Sequence, residues 1–180
     1  DQFKGKGISY CATCDGDFFQ DKEIIVVGGG NSALEEAVSL TKYASKVTVV
    51  HQFDNFQALE HYVEEAKNNP KINFVMESKI IEFIGDESLR EVRIQHQSTN
   101  DITGMNIDGV FIFIGYVPNT ENIGGKVALN NYGEIIVDNN MATNIPGVYA
   151  AGDSIAKRYR QVTTAVADGT IAALSASEYV

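Results

Sequence analysis

Cys11 and Cys14 are the chain's only cysteines, and they stand three apart in Cys11-Ala12-Thr13-Cys14-Asp15-Gly16. Two intervening residues let the sulfurs close a small, reducible ring. In such pairs one thiol is commonly the more acidic and acts as a nucleophile. Asp15 follows at once, and a carboxylate there can exchange a proton with a leaving thiolate through a water. The same cysteines would also suit an inert disulfide. Zinc needs four ligands, and His51, His61 and His96 show no ligand spacing, so no metal site is expected. The expectation is a redox-active pair, because it stands a few residues ahead of a nucleotide-binding pattern.

That pattern is Gly28-x-Gly30-x-x-Ala33, which follows the apolar run 23–28. The first glycine permits a tight turn, and the second lets backbone approach a pyrophosphate. The small third residue lets helix and strand pack closely, with the helix N-terminus toward the anion. A dinucleotide site of this kind places an acidic residue about 20 positions on for the NAD ribose. Here that place reads His51-Gln52-Phe53-Asp54-Asn55-Phe56-Gln57, without arginine or lysine. A 2′-phosphate would meet a mostly neutral imidazole and the Asp54 carboxylate. Charge-assisted contacts are the strong ones, so NADPH is expected to be a poor ligand. NADH could hydrogen-bond through Gln52 or Asp54. His51 also fits a satisfied polar residue at a strand end. A third string, Thr143 to Asp153, ends an apolar strand in Ala-Gly-Asp. Gly152 lets a ligand approach the backbone and Asp153 can accept from a sugar-like hydroxyl; a helix cap fits equally well.

These residues need elements to position them. Strands are expected at 23–28, 46–50 and 72–76, with helices from the glycine loop to about Tyr43 and over about 55–68. That β-α-β-α-β order predicts a parallel sheet covered by helices. Residues 79–84, 89–97 and 107–114 read as a meander over the sheet, with a turn at Thr103-Gly104. Further strands are expected at 134–137 and 147–150. A last helix over about 161–178 would pack through Val162, Ala165, Val166, Ala172, Ala173 and Ala176. The domain change is placed near Gly115, giving domains 1–114 and 115–180.

The 180 residues are 44% hydrophobic and carry a net charge of −10. Such acidity argues against nucleic acid, whose phosphates need a basic face, and against an anionic membrane surface. The longest apolar run is Val110 to Ile114 with its neighbours, far short of the ~20 residues of a membrane helix. The chain begins at Asp1 rather than Met, so an upstream segment is expected.

Together and in order, these motifs give the chain a resemblance to the low-molecular-weight, bacterial-type thioredoxin reductases and their alkyl-hydroperoxide-reductase flavoprotein relatives. The matching strings are SYCATCDG (Ser9–Gly16), VVGGGNSALEEA (Val26–Ala37), FIGYVPNT (Phe113–Thr120), ATNIPGVYAAGDS (Ala142–Ser154) and RQVTTAVADGTIAA (Arg160–Ala173). The resemblance implies an α/β fold. Its parts are a Rossmann-like NAD(P)-type domain, with parallel sheet and β-meander, and the C-terminal half of a second Rossmann-like domain that binds FAD. It implies electron flow from NAD(P)H through FAD to the cysteine pair and on to a protein disulfide, with rotation between the domains.

Carried over residue by residue, Cys11 matches the attacking thiol, Cys14 the one facing the flavin, and Asp15 the acid beside them. Gly28, Gly30, Asn31, Ser32 and Ala33 match the pyridine-nucleotide loop, and His51 what remains of the family's HRRxxxR string. Gly152 and Asp153 match the FAD ribityl contact, and Arg160, Gln161 and Val162 the segment beside the isoalloxazine. A cytoplasmic homodimer acting on a thioredoxin-like protein disulfide is implied. The cofactors implied are FAD with NADH or NADPH; the missing arginines disfavour NADPH and leave room for another donor such as ferredoxin. The alternatives are an NADH-dependent peroxiredoxin reductase, a ferredoxin-fed enzyme, or a non-enzymatic redox- or nucleotide-sensing module. The family's first FAD-binding half has no counterpart here, so this piece is expected to be inactive by itself.

Overall fold

The computed structural model describes residues 2–123 and 125–180. The chain divides into two compact units, one ending at Gly115 and the other spanning Tyr116–Val180. In the first, β1 (Ile8–Ser9), β2 (Glu23–Val27), β3 (Lys46–Val50), β4 (Ile72–Val75) and β8 (Gly109–Ile112) form a parallel sheet. The strand order is β1-β8-β2-β3-β4. Helices α1 (Ala12–Asp15), α2 (Asn31–Leu40) and α3 (Glu60–Lys67) lie in the connections. An antiparallel sheet is made by β5 (Ser78–Gly85), β6 (Leu89–His96) and β7 (Ile102–Asn106).

Alternation along the strands builds two cores. Ile24, Val26, Val47, Val49 and Phe111 face the helices and pack with Ala33, Leu34, Ala37 and Leu40. Their neighbours Ile25, Val50 and Val110 face the antiparallel sheet and meet Leu89, Val92 and Ile94. A sheet buried on both faces is what near-continuous apolar strands require.

Four expectations are corrected. Residues 107–114 do not complete the meander. β7 does, and β8 inserts between β1 and β2; just before it Asp108 N donates to the Glu23 carbonyl and Asp108 Oδ2 accepts from Glu23 N. The second helix begins at Glu60, because residues 55–59 are held to the glycine loop: Gln57 N donates to the Gly29 carbonyl and Leu59 N to Asn31 Oδ1. The strands at 134–137 and 147–150 are only isolated bridges, Leu129–Ile135, Ile135–Ile155 and Ala142–Tyr149. Finally, α4 (Val162–Tyr179) buries none of its residues. Its half-covered stripe runs through Ala165, Asp168, Gly169, Ala172 and Ala176, while Val162 and Val166 point outward. Small residues let the helix lie close to the loops beneath it, and Tyr149 reaches across to donate to the Ser175 carbonyl.

No helix among the described residues is long and apolar enough to cross a membrane.

On α2, burial pushes the Glu36 carboxyl above the ordinary value of 4.5, and the neighbouring Glu35 charge adds to the rise. A raised carboxyl disfavours the folded state wherever it is ionised, that is, above its folded value. Glu36→Gln is therefore expected to raise the melting temperature by about 1–3 °C at neutral pH. The gain should shrink as pH falls through the raised value and vanish below 4.5. Thermal melts across that range check it; an unchanged or lowered melting temperature at neutral pH would refute it.

Candidate functional site

The cysteine pair lies just past the end of β1. Cys11 and Cys14 form a disulfide with Cα atoms 5.3 Å apart. Cys11 precedes the first residue of α1 in extended backbone, and its Sγ accepts from the Cys14 backbone N–H at 3.2 Å. That amide favours negative charge on the Cys11 sulfur once the bond opens. Cys14 is the more exposed of the two. Ser9, only 4% exposed, joins the pair to the acid: Cys11 N donates to Ser9 Oγ at 3.1 Å, and Ser9 Oγ donates to Asp15 Oδ2 at 2.7 Å. A cleft of about 330 Å³ opens beside them, lined by Ser9, Asp15, Phe18, Lys6 and Lys22. Among the described residues no group of three or more His, Cys, Asp or Glu is placed to hold a metal.

The glycine loop joins β2 to α2. Gly28 has φ +139°, and a Cβ there would overlap the Phe113 carbonyl and crowd the buried Ala33. Gly30 differs: a Cβ would meet nothing within 4 Å. Gly30 also caps α2 without a side-chain hydrogen bond, and Asn31 and Ser32 are exposed. The first amides of a ten-residue helix thus open onto free space, a fit for a pyrophosphate.

His51 does not line that space. It is 4% exposed, its ring fills the volume a Gly29 side chain would take, and Phe56 stacks on it at 5.7 Å. Its Nε2–H donates to the Asn55 carbonyl at 3.1 Å. The histidine braces the loop 51–57, packed against Phe53 and Phe56, which fits the satisfied polar residue at a strand end rather than a ligand contact.

In the second unit Gly152, at φ +81°, opens a short turn, Gly152–Ser154. The Asp153 carbonyl accepts from Tyr116 Oη at 2.8 Å and Arg160 Nε at 3.4 Å. Its half-exposed carboxylate lies 3.6 Å from Lys157 Nζ. Arg160 pairs with Glu134 and lies over the Tyr116 ring at 4.6 Å. Gln161 and Thr164 cap α4 reciprocally, and Val162 is 80% exposed. The open space beside Gly152, where a Cβ would meet only Ala165 at 3.9 Å, and the half-exposed Asp153 carboxylate suit a polyol chain such as a ribityl.

Sequence reasoning missed Ser9 and Lys157. A serine two residues before a cysteine carries no pattern. Lys157 offered only its i,i+4 spacing from Asp153, and it also binds Asp168 at 2.8 Å.

The family model for pyridine nucleotide-disulphide oxidoreductases matches residues 1–169. A thioredoxin reductase of Peptoclostridium acidaminophilum is 46% identical over 185 residues, covering 99% of this chain and 59% of that protein. The solved thioredoxin reductase of Streptococcus pyogenes superposes with a TM-score of 0.92 at 42% identity, over 97% of this chain and 57% of that one. A ferredoxin-flavin thioredoxin reductase of Clostridium acetobutylicum matches more loosely, with a TM-score of 0.52 at 32% identity over 99% of this chain and 56% of that one. The chain thus spans little more than half the length of these relatives.

The two neighbouring glycines should separate packing from binding. Gly29→Ala drives a methyl into the His51 ring and is expected to cost about 1–3 kcal/mol. Gly30→Ala should leave the melting temperature nearly unchanged while weakening dinucleotide binding by about tenfold or more. Melts and ligand titrations of the whole protein check both; a stable Gly29→Ala, or a Gly30→Ala that binds normally, would contradict this assignment.

Proposed function

The chain belongs to the pyridine nucleotide-disulphide oxidoreductase family, and on that premise we propose that it forms part of a flavin-dependent disulfide reductase of thioredoxin-reductase type. One observation carries this: an accessible disulfide whose Cys11 sulfur faces an amide donor, with Asp15 held beside it through Ser9. The identity to thioredoxin reductases over nearly the whole chain supports it. On this reading residues 1–114 are the pyridine-nucleotide domain and 115–180 part of the FAD domain, where Gly152, Asp153, Arg160, Gln161 and Val162 would hold the ribityl and the ring.

A flavin held there would supply the electron pair by which the Cys11–Cys14 bond is reduced. Cys11 then holds negative charge against the Cys14 N–H. Its thiolate attacks one sulfur of the partner's disulfide, forming a mixed disulfide, and the partner's other sulfur leaves and takes a proton relayed by Asp15 from water. Cys14 attacks the Cys11 sulfur, closes the ring and releases the second thiol. The partner gains two electrons and two protons, and the pair returns to the oxidised state.

NADH is the dinucleotide favoured over NADPH. Residues 51–57 hold no cation and His51 is sealed, so a 2′-phosphate would be desolvated without a charge-assisted partner. Reduced ferredoxin is the second reading, favoured by the likeness to a ferredoxin-flavin thioredoxin reductase. A thioredoxin-like protein is the acceptor favoured by the relatives, and a cytoplasmic homodimer is the state the resemblance supports.

Anaerobic mixing of the full-length flavoprotein with NADH, NADPH or reduced ferredoxin, watching the flavin absorbance, tests the donor. NADPH should be slower than NADH by about tenfold or more; faster bleaching by NADPH would overturn the donor assignment. Cys11→Ser and Cys14→Ser should each lower protein-disulfide reduction by about a thousandfold or more while flavin reduction persists. Retained disulfide reduction in either variant would reject the mechanism.

A further inference from the structure

Ser9 takes no part in the exchange steps above, yet it is 4% exposed and makes three contacts within the site. Its Oγ accepts from Cys11 N at 3.1 Å, donates to Asp15 Oδ2 at 2.7 Å and lies 3.3 Å from the Cys11 carbonyl. The Asp15 N–H donates back to that same carbonyl at 3.2 Å. A buried hydroxyl with a carboxylate 2.7 Å away directs its one proton there, since charged acceptors form the stronger bond.

We propose that Ser9 is a positioning residue: it ties the Asp15 carboxyl to the Cys11 backbone, so that proton donor and exchanging sulfurs keep one geometry through the reaction. This rests on the function proposed above. Three features carry it. The bond fixes the rotation of the carboxyl. It occupies Oδ2 as acceptor, which leaves Oδ1 as the oxygen that carries the transferred proton. It also anchors the acid to rigid structure, because Ser9 sits in β1, paired with Phe111 of the central sheet, whereas Asp15 sits at the end of a four-residue helix.

In the step concerned, the Cys11 thiolate forms a bond to one partner sulfur while the partner's S–S bond breaks. The leaving sulfur takes the electron pair and then a proton relayed through Asp15 Oδ1, which the carboxylate takes up from water. An alkyl thiolate needs that proton to leave readily; an aromatic, weakly basic thiolate does not. Misplacing the acid must therefore slow the two kinds of disulfide unequally, whereas a merely structural fault slows both alike.

The test uses the full-length protein with its pair reduced by a phosphine that is then removed. Reoxidation is timed with hydroxyethyl disulfide, an alkyl probe, and with dithiobis-nitrobenzoate, an aromatic one. Ser9→Ala should react with the alkyl probe slower by about tenfold, a fraction of the 10²–10⁴ that an acid supplies. The aromatic probe should stay within about twofold. Asp15→Asn should show the same selectivity, and the double variant should be no slower than Asp15→Asn alone. Ser9→Thr, which keeps the hydroxyl, should restore the alkyl rate and serves as the folded control. Equal loss with both probes, no loss with either, or additive effects in the double variant would overturn the role of Ser9. If Cys11→Ser or Cys14→Ser still turns over a protein disulfide, the dithiol mechanism itself fails, and the role of Ser9 with it.

Discussion

Two sulfurs three residues apart can bond only if the backbone between them turns, and that turn needs an anchor. Ala12 supplies it: 4% exposed, it belongs to the core cluster that also holds Phe19 and Phe111. One end of the turn is thus buried in the sheet's own core while Thr13 and Cys14 stay exposed. The Cα separation of 5.3 Å falls within the usual range for a disulfide. The pair is therefore neither a loose loop nor a buried staple, but an exposed bond on a fixed base.

The rest of the first unit keeps that base and the glycine loop in one frame. β8 lies between β1, which leads to the cysteines, and β2, which leads to the glycine loop. Gly28 packs on the Phe113 carbonyl just past β8, so the two sites share a strand. The loop 51–59 then closes over the glycines through Gln57, Leu59 and His51. A ring rather than a cation fills the corner beside Gly29, so the NADH preference proposed above rests on packing as much as on missing charge.

Much of this was legible in the sequence. Strands 23–27, 46–50 and 72–75 with α2 announce themselves through apolar runs punctuated by the glycine loop. Cys11, Cys14 and Asp15 are legible as chemistry because their types and spacing leave few alternatives. What the sequence hid has physical causes. The run Val110–Ile114 is apolar at every position, so no periodicity marks it as a central strand, and strand order is a long-range property. β7 holds only one half-buried residue, so it leaves almost no pattern. The α4 stripe was misjudged because valines suggest a packing face, while close approach to loops selects alanine and glycine. Phe56 lies within the span 55–68 expected as helix but packs outside it, on His51 and Phe74. Ser9 and the sealed state of His51 depend on backbone partners that no spacing rule reveals.

Exposure would select Cys14 as the attacking sulfur, and charge stabilisation selects Cys11. Trapping decides between them and tests the central claim that this pair is the exchanging dithiol. The reduced full-length Cys14→Ser and Cys11→Ser variants are each mixed with a thioredoxin that keeps a single active-site cysteine, carried as a mixed disulfide with an aromatic thiol, and the adduct is mapped by mass spectrometry. The account predicts a mixed disulfide on Cys11. An adduct confined to Cys14, or no adduct on either sulfur, would contradict it.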